Sequence, residues 1–268
     1  MKKKLIDRLK EQFSDSSKNT LKQWVQEGRI AVDGKVCLLA STPIEETQVL
    51  TLKPRSTHMG WKVDILYEDL DIVVVRKPSG LLSVDKDDER EMSLHRLLKR
   101  RRQRVYPVHR LDKAASGVLV FTYSEFARDG LKNQFAAHTT YREYRAVVEG
   151  ILETPSGSWI NFLKEDKALK MYVAEEGKEA ITHFEVLKTM KDKDATLLKI
   201  TLETGRKNQI RVQCSEAGHP ICGDRKYGSQ TNPYKRLALH ALLLEFNHPV
   251  TGKRMRFTDE NALPLPLG

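Results

Sequence analysis

Apolar positions along the chain follow two different periods. Near the start they recur at helical spacing: Leu5, Ile6, Leu9 and Phe13 fall on one face, and Leu21, Trp24 and Val25 on another. Two short helices are predicted, with Ser16 or Ser17 as a candidate cap and Gly28 as a stop. Further along, short apolar or alternating runs take over. Residues 30–32 and 35–38, joined by Asp33 and Gly34, read as a hairpin. Residues 54–60, rich in turn-forming and polar side chains, read as a linker, so a first unit covers 1–55 and a second 60–268. In the second unit the β-branched runs 63–67 and 72–75 predict strands, and 77–82 a turn. A charged loop is expected over 85–91 and a helix over 94–103, beginning near Ser93, with Leu94, Leu97 and Leu98 on its apolar side. Tyr144 alternates with Ala146 and Val148 on one strand face, and runs 181–187 and 197–202 suggest an antiparallel meander. The chain has no internal repeat and no low-complexity tract.

Charge narrows the partner. Among 268 residues, 46 Lys plus Arg stand against 36 Asp plus Glu, a net charge of +10 that favours a polyanion such as nucleic acid. Cys37, Cys214 and Cys222 are odd in number and lack paired ligand spacing, which supports neither a disulfide framework nor a metal site. Lys2, Lys3 and Lys4 lead into charged Asp7, Arg8 and Lys10 instead of an apolar core, so neither a signal peptide nor a membrane span is expected there, and a cytoplasmic protein is.

The candidate chemistry lies in His109-Arg110-Leu111-Asp112-Lys113-Ala114-Ala115-Ser116-Gly117, which leads into the apolar run 118–121. One carboxylate among cations, in a small-residue turn before a buried strand, is held rigidly and kept ionised. Alone, the tetrapeptide also fits a surface Arg–Asp pair. Just upstream, Lys99, Arg100, Arg101, Arg102 and Arg104 form a basic run, read as a face for an RNA backbone.

This loop resembles the signature of the RluA-type RNA pseudouridine synthases. Two further blocks agree in order: Tyr141-Arg142-Glu143-Tyr144-Arg145, and Leu202-Glu203-Thr204-Gly205-Arg206-Lys207-Asn208-Gln209-Ile210-Arg211-Val212, which continues into residues 218–228 in the family's style. The likeness covers roughly residues 60–268. It implies an α+β fold with a mixed, mainly antiparallel sheet, a central cleft, and conversion of uridine to pseudouridine without metal or cofactor. By the same resemblance Asp112 is the catalytic carboxylate, Arg211 its charged partner, and Tyr144 the ring that stacks on the uracil and helps remove the C5 proton. His109 and Arg110 are expected to enter the vacated base stack or hold the backbone, and Arg206 to contact RNA.

The helix-helix-hairpin order of residues 1–55 resembles the small α/β RNA-binding domain named for ribosomal protein S-four, which implies that Lys18, Lys22 and Arg29 meet phosphates. Family members with such a domain modify large-subunit ribosomal RNA, so that RNA is expected first and transfer RNA second, with the protein a monomer. Asn208 and Gln213 stand where the family has His, Ala115 where it has Thr, and Arg142 where it has Lys. None of the four is expected to touch Asp112, Tyr144 or Arg211. Two rival classes are a non-catalytic RNA-binding or ribosome-assembly protein on the same fold, which the intact trio argues against, and a glycoside hydrolase, which needs a second matched carboxylate.

Overall fold

The computed structural model describes residues 2–26, 29–37, 39–52, 62–85 and 91–260. The expectations for Gly28, Leu38, the linker 54–60 and most of the loop 85–91 lie outside the described residues. The chain divides into two compact units, Met1–Lys62 and Val63–Gly268.

In the first unit, β1 (Lys2–Lys4) leads into α1 (Leu5–Gln12) and then α2 (Lys18–Gln26). The helical faces pack as their spacing dictates, with Leu5, Ile6, Leu9, Leu21 and Val25 buried against Ile30, Ile44 and Leu50. Of the two candidate caps, Ser17 receives the Thr20 N–H at 3.1 Å. The hairpin of β2 (Ile30–Val32) and β3 (Lys35–Val36) turns through Asp33 and Gly34, both at positive φ, as a type I′ connection requires. Two pairings were not foreseen from the sequence. β1 pairs with β4 (Pro43–Glu45), and β5 (Leu50–Leu52) adds to β2. A three-lysine run and a three-residue run beginning with proline carry no alternating pattern to reveal them.

The second unit is built on one sheet. Its strands are β6 (Asp64–Glu68), β7 (Ile72–Lys77), β8 (Tyr106–Pro107), β9 (Ser116–Thr122), β10 (Tyr141–Glu149), β11 (Ser156–Glu165), β12 (Met171–Ala174), β13 (Lys178–Met190), β14 (Ala195–Leu202), β15 (Leu239–Asn247) and β16 (Arg254–Thr258). The main order is β12-β11-β13-β14-β10-β15-β9-β7-β6, with β16 beside β15 and β8 beside β9. Among the described residues every strand pairing of this sheet is antiparallel except β15 with β9, so the sheet is mixed and mainly antiparallel. β9 is buried along its whole length, which is why residues 118–121 are continuously apolar instead of alternating. At the join of β9 and β15, Gly117 (φ +120) is obligatory, since a Cβ there would lie 2.1 Å from the Ala241 carbonyl oxygen.

Among the described residues three α-helices accompany the sheet: α3 (Leu94–Lys99), α4 (Glu125–Ala136) and α5 (Gln209–Glu216). Ser93 caps α3, receiving the Arg96 N–H at 3.0 Å. The helix ends at Lys99, four residues short of the predicted end. α4 and α5 were not anticipated. In α5 polar Gln209 and Gln213 are buried beside Ile210, Val212 and Cys214, so no apolar stripe marks it. No described helix is long and apolar enough to cross a membrane.

Candidate active site

The loop between β8 and β9 is fastened by residues 77–83. Ser83 Oγ donates to the Leu111 carbonyl at 2.8 Å and receives the Leu111 N–H at 3.0 Å. Ser79 Oγ donates to the Ala114 carbonyl at 2.6 Å, and the Gly80 N–H to the Lys113 carbonyl at 2.8 Å. The 77–82 turn therefore packs beside the loop. Beneath it Lys77, fully buried at the end of β7, donates to the carbonyls of Pro78, Leu81 and Lys113 at 3.0, 2.8 and 3.2 Å. Burial pushes its ammonium down to about 7.

On this support Asp112 lines a cleft, its side chain 19% exposed. Its Oδ2 accepts from Arg211 Nη1 at 3.1 Å and from Asn208 Nδ2 at 2.7 Å. No hydrogen bond from the described residues reaches Oδ1. Arg211 projects from α5 and is itself gripped by buried Asp224, with Nε to Oδ2 at 2.6 Å and Nη2 to Oδ1 at 2.7 Å. Burial alone would lower its pKa, but Asp224 and Asp112 outweigh that and raise it, so the guanidinium is permanently charged. Tyr144, on β10, is buried in the same cleft together with Leu111, Ala115 and Leu239. Burial and the Asp112 charge raise its phenol pKa against the opposing pull of Arg142, so it is neutral at ordinary pH.

Arg110 is exposed and lines the cleft on both sides of Asp112. Arg206 lines the side near Tyr144, where its Nε donates to the Glu179 carbonyl at 2.8 Å. Lys18 and Lys22 are exposed on α2, and Arg29 sits 5.1 Å from the Trp24 ring.

Four residues sit otherwise than expected. His109 points inward: its ring stacks on Phe135 at 4.7 Å and its Nε2 accepts the Val120 N–H at 3.2 Å. Desolvation of the half-buried ring, aided by Arg142, pulls its pKa down to about 3, so it is a neutral group packed on Phe135. Arg101 and Arg102 do not flank the cleft. α3 begins beside the loop, with the Leu94 N–H on the Leu82 carbonyl, and runs away from it. Arg101 pairs with Glu68 at 3.3 Å, while Arg102 lies 3.9 Å from the Tyr123 ring and donates to the carbonyls of Asp69 and Leu70. These partners sit at the opposite end of β7 from Lys77, six strand residues or roughly 20 Å away. Of the three cations Lys99, Arg101 and Arg102, Lys99 alone is exposed with no fixed partner among the described residues. Asn208, expected not to touch the trio, donates directly to Asp112.

The other departures behave differently. Gln213 is a buried tie, donating to the Trp159 and Ala180 carbonyls and to Asn161, each at 3.0 Å. Arg142 donates to the Leu202 and Glu203 carbonyls at 3.3 and 2.8 Å. Asp224 and Tyr227 received no role from the sequence, although both fall in the 218–228 block; Tyr227 donates to Asn208 Oδ1 at 3.2 Å. Among the described residues the one grouping with metal-ligand types in reach of each other is Asp69, Asp71 and His248. It lies at the far end of β7, and the Asp69 oxygens and both His248 nitrogens are already hydrogen-bonded.

The family described as RNA pseudouridylate synthase matches residues 71–216, a span that includes Asp112, Tyr144 and Arg211. The uncharacterized RNA pseudouridine synthase YlyB of Bacillus subtilis is 34% identical over 270 residues, covering 94% of this chain and 87% of its own length. A ribosomal large subunit pseudouridine synthase D of Vibrio cholerae is 32% identical over 279 residues, covering 92% and 84%. The fold is shared with human RNA pseudouridylate synthase domain containing 1, at a TM-score of 0.62 and 23% identity over 74% of this chain and 83% of that one. With a matching sequence block, near full-length relatives and a common sheet, the chain belongs to the RNA pseudouridine synthase family.

Proposed function

We propose that this protein isomerises specific uridines of large-subunit ribosomal RNA, with Asp112 as the catalytic group, Arg211 as its charged partner and Tyr144 as the ring that receives the extruded base. The observation that carries the reading is the asymmetry of Asp112: Oδ2 is fixed by two donors, while Oδ1 has no donor among the described residues and the residue lines the cleft with Tyr144. The isomerisation breaks the bond from the sugar to the ring nitrogen and rejoins the sugar to C5, conserving every atom. A free carboxylate oxygen serves each available opening step, whether attack on the sugar, attack on the ring, or removal of a sugar proton. Tyr144, as a neutral phenol, stacks on the uracil, and its hydroxyl hands on the C5 proton. Arg110 and Arg206, at the cleft, hold the RNA backbone. Ribosomal RNA is favoured because synthase D of Vibrio cholerae, a relative along most of both chains, carries that substrate in its name.

The first unit is assigned as an S-four-like RNA-binding domain, supported by its helix-helix-hairpin order and by Lys18 and Lys22 on the exposed side of α2. Replacing both with Ala should lower the slope of log affinity against log salt by about 0.7 to 0.9 for each phosphate these lysines neutralise. An unchanged slope removes that assignment. The function is tested by tritium release from transcripts labelled at uracil C5. Turnover on large-subunit ribosomal RNA is expected; turnover on transfer RNA alone changes the substrate, and release from neither contradicts the reading.

A further inference from the structure

We infer that Asp224 and Tyr227, at the two ends of one short turn, are positioning residues that aim the two donors gripping Asp112. This rests on the reading of Asp112 as the catalytic group.

Asp112 Oδ2 is held by Arg211 and Asn208, and neither donor is self-locating. An arginine has several rotatable bonds, and an asparagine amide can turn over and present its oxygen to the carboxylate. The 3₁₀ turn Arg225–Tyr227, flanked by Asp224, removes both freedoms. Asp224, its side chain 2% exposed, takes Nε and Nη2 of Arg211 as a fork. The guanidinium is planar, so seating that edge fixes the direction of Nη1, which is the atom on Asp112.

Tyr227 acts on the other donor by polarity. Its hydroxyl oxygen receives the Met171 N–H at 3.3 Å, and its O–H donates to Asn208 Oδ1 at 3.2 Å. With Oδ1 occupied as acceptor, the NH₂ of Asn208 must face Asp112, where it donates at 2.7 Å. The chain of donors therefore runs in one direction from Met171 to Asp112.

The turn is anchored to the strand that carries Tyr144. The Cys222 N–H donates to the Val147 carbonyl at 2.9 Å, and the Glu149 carboxylate accepts from Ser229 Oγ at 2.7 Å and from the Thr231 N–H at 2.6 Å. Asp112, its two donors and Tyr144 thus share one platform although Asp112 and Arg211 stand about a hundred residues apart in the chain.

Double-mutant cycles on the full-length protein, with kcat, KM and the thermal midpoint measured for each variant, test the inference. Asp224→Asn and Arg211→Lys should each lower kcat by about 30-fold with KM within about threefold, and the double variant should fall no more than about twofold below the lower single. Tyr227→Phe should lower kcat by about fivefold alone, yet have no effect on an Asn208→Ala background, while Asp224→Asn keeps its full effect there. Multiplicative losses for Tyr227→Phe with Asn208→Ala, changes confined to KM, or kcat losses that merely track the thermal midpoint overturn it. If Asp224→Asn does not fold, the Tyr227 cycle decides alone. Failure of the underlying reading looks different: the wild-type protein then releases no tritium, or Asp112→Asn releases it as the wild type does.

Discussion

Two aspartates sit in tight turns at opposite ends of β7, and their surroundings differ in one respect. Asp69, between β6 and β7, is saturated. Its Oδ1 accepts the N–H groups of Asp71 and Ile72, both at 2.8 Å, and its Oδ2 accepts from Tyr67 at 2.8 Å and His248 Nε2 at 3.0 Å. Burial pushes its pKa up, but these donors outweigh it and hold the carboxyl below its ordinary value. Asp112 is held just as firmly by one oxygen and leaves the other without a donor from the described residues. A carboxylate whose oxygens are all occupied can brace a turn and do nothing else. One that is fixed through a single oxygen has a defined direction and an unspent lone pair, which is what reaction with a sugar or ring atom demands.

Removing a donor from each aspartate should therefore have opposite consequences. Arg211→Ala takes one of two donors from Asp112 and strands buried Asp224, and isomerisation should fall by a factor of about 100 or more, read as kcat for tritium release. Wild-type kcat in that variant means that Asn208 alone suffices. His248→Ala takes a donor from Asp69 and leaves the Val250 and Thr251 N–H groups, now on His248 Nδ1, without their acceptor. It should cost about 2 kcal/mol of stability by denaturant unfolding while kcat per folded molecule stays unchanged.

A separate, pH-dependent effect concerns His109, expected by resemblance to meet RNA and found with its ring stacked on Phe135. Its folded pKa, about 3, lies below the unfolded value of about 6.5. The unfolded chain thus gains a proton that the folded one refuses, and stability falls as pH drops from about 6.5 toward 3, by at most about 1.4 kcal/mol per pH unit. His109→Gln, which keeps an acceptor for the Val120 N–H, should flatten that slope in thermal midpoints taken across this window. An equal slope in both proteins would mean that the imidazole protonates freely in the folded state.

How much of this could be read beforehand follows from where the physical signal resides. The Asp33-Gly34 turn, the Ser93 cap and the apolar strands β7 and β9 are local, and a few neighbouring residues suffice to specify them. Asp112 and Arg211 were paired by resemblance, across a sequence gap that periodicity cannot bridge. Asn208 was misjudged because its left-handed backbone (φ +52) before α5 turns the side chain toward Asp112, and α5 itself buries glutamines that no apolar pattern reveals. The basic run at 99–104 reads as an RNA face because such a run looks alike whether it meets phosphates or protein. The partners of Arg101 and Arg102, namely Glu68, Asp69, Leu70 and Tyr123, come from two other segments of the chain.

The most direct test puts the two carboxylates side by side, with kcat for tritium release and unfolding free energy measured on the same preparations of Asp112→Asn and Asp69→Asn. Asp112→Asn should abolish turnover, keep its RNA affinity and unfold within about 1 kcal/mol of the wild type, while Asp69→Asn should lose about 2 kcal/mol and keep its kcat. Turnover retained by Asp112→Asn in a folded protein would contradict the account.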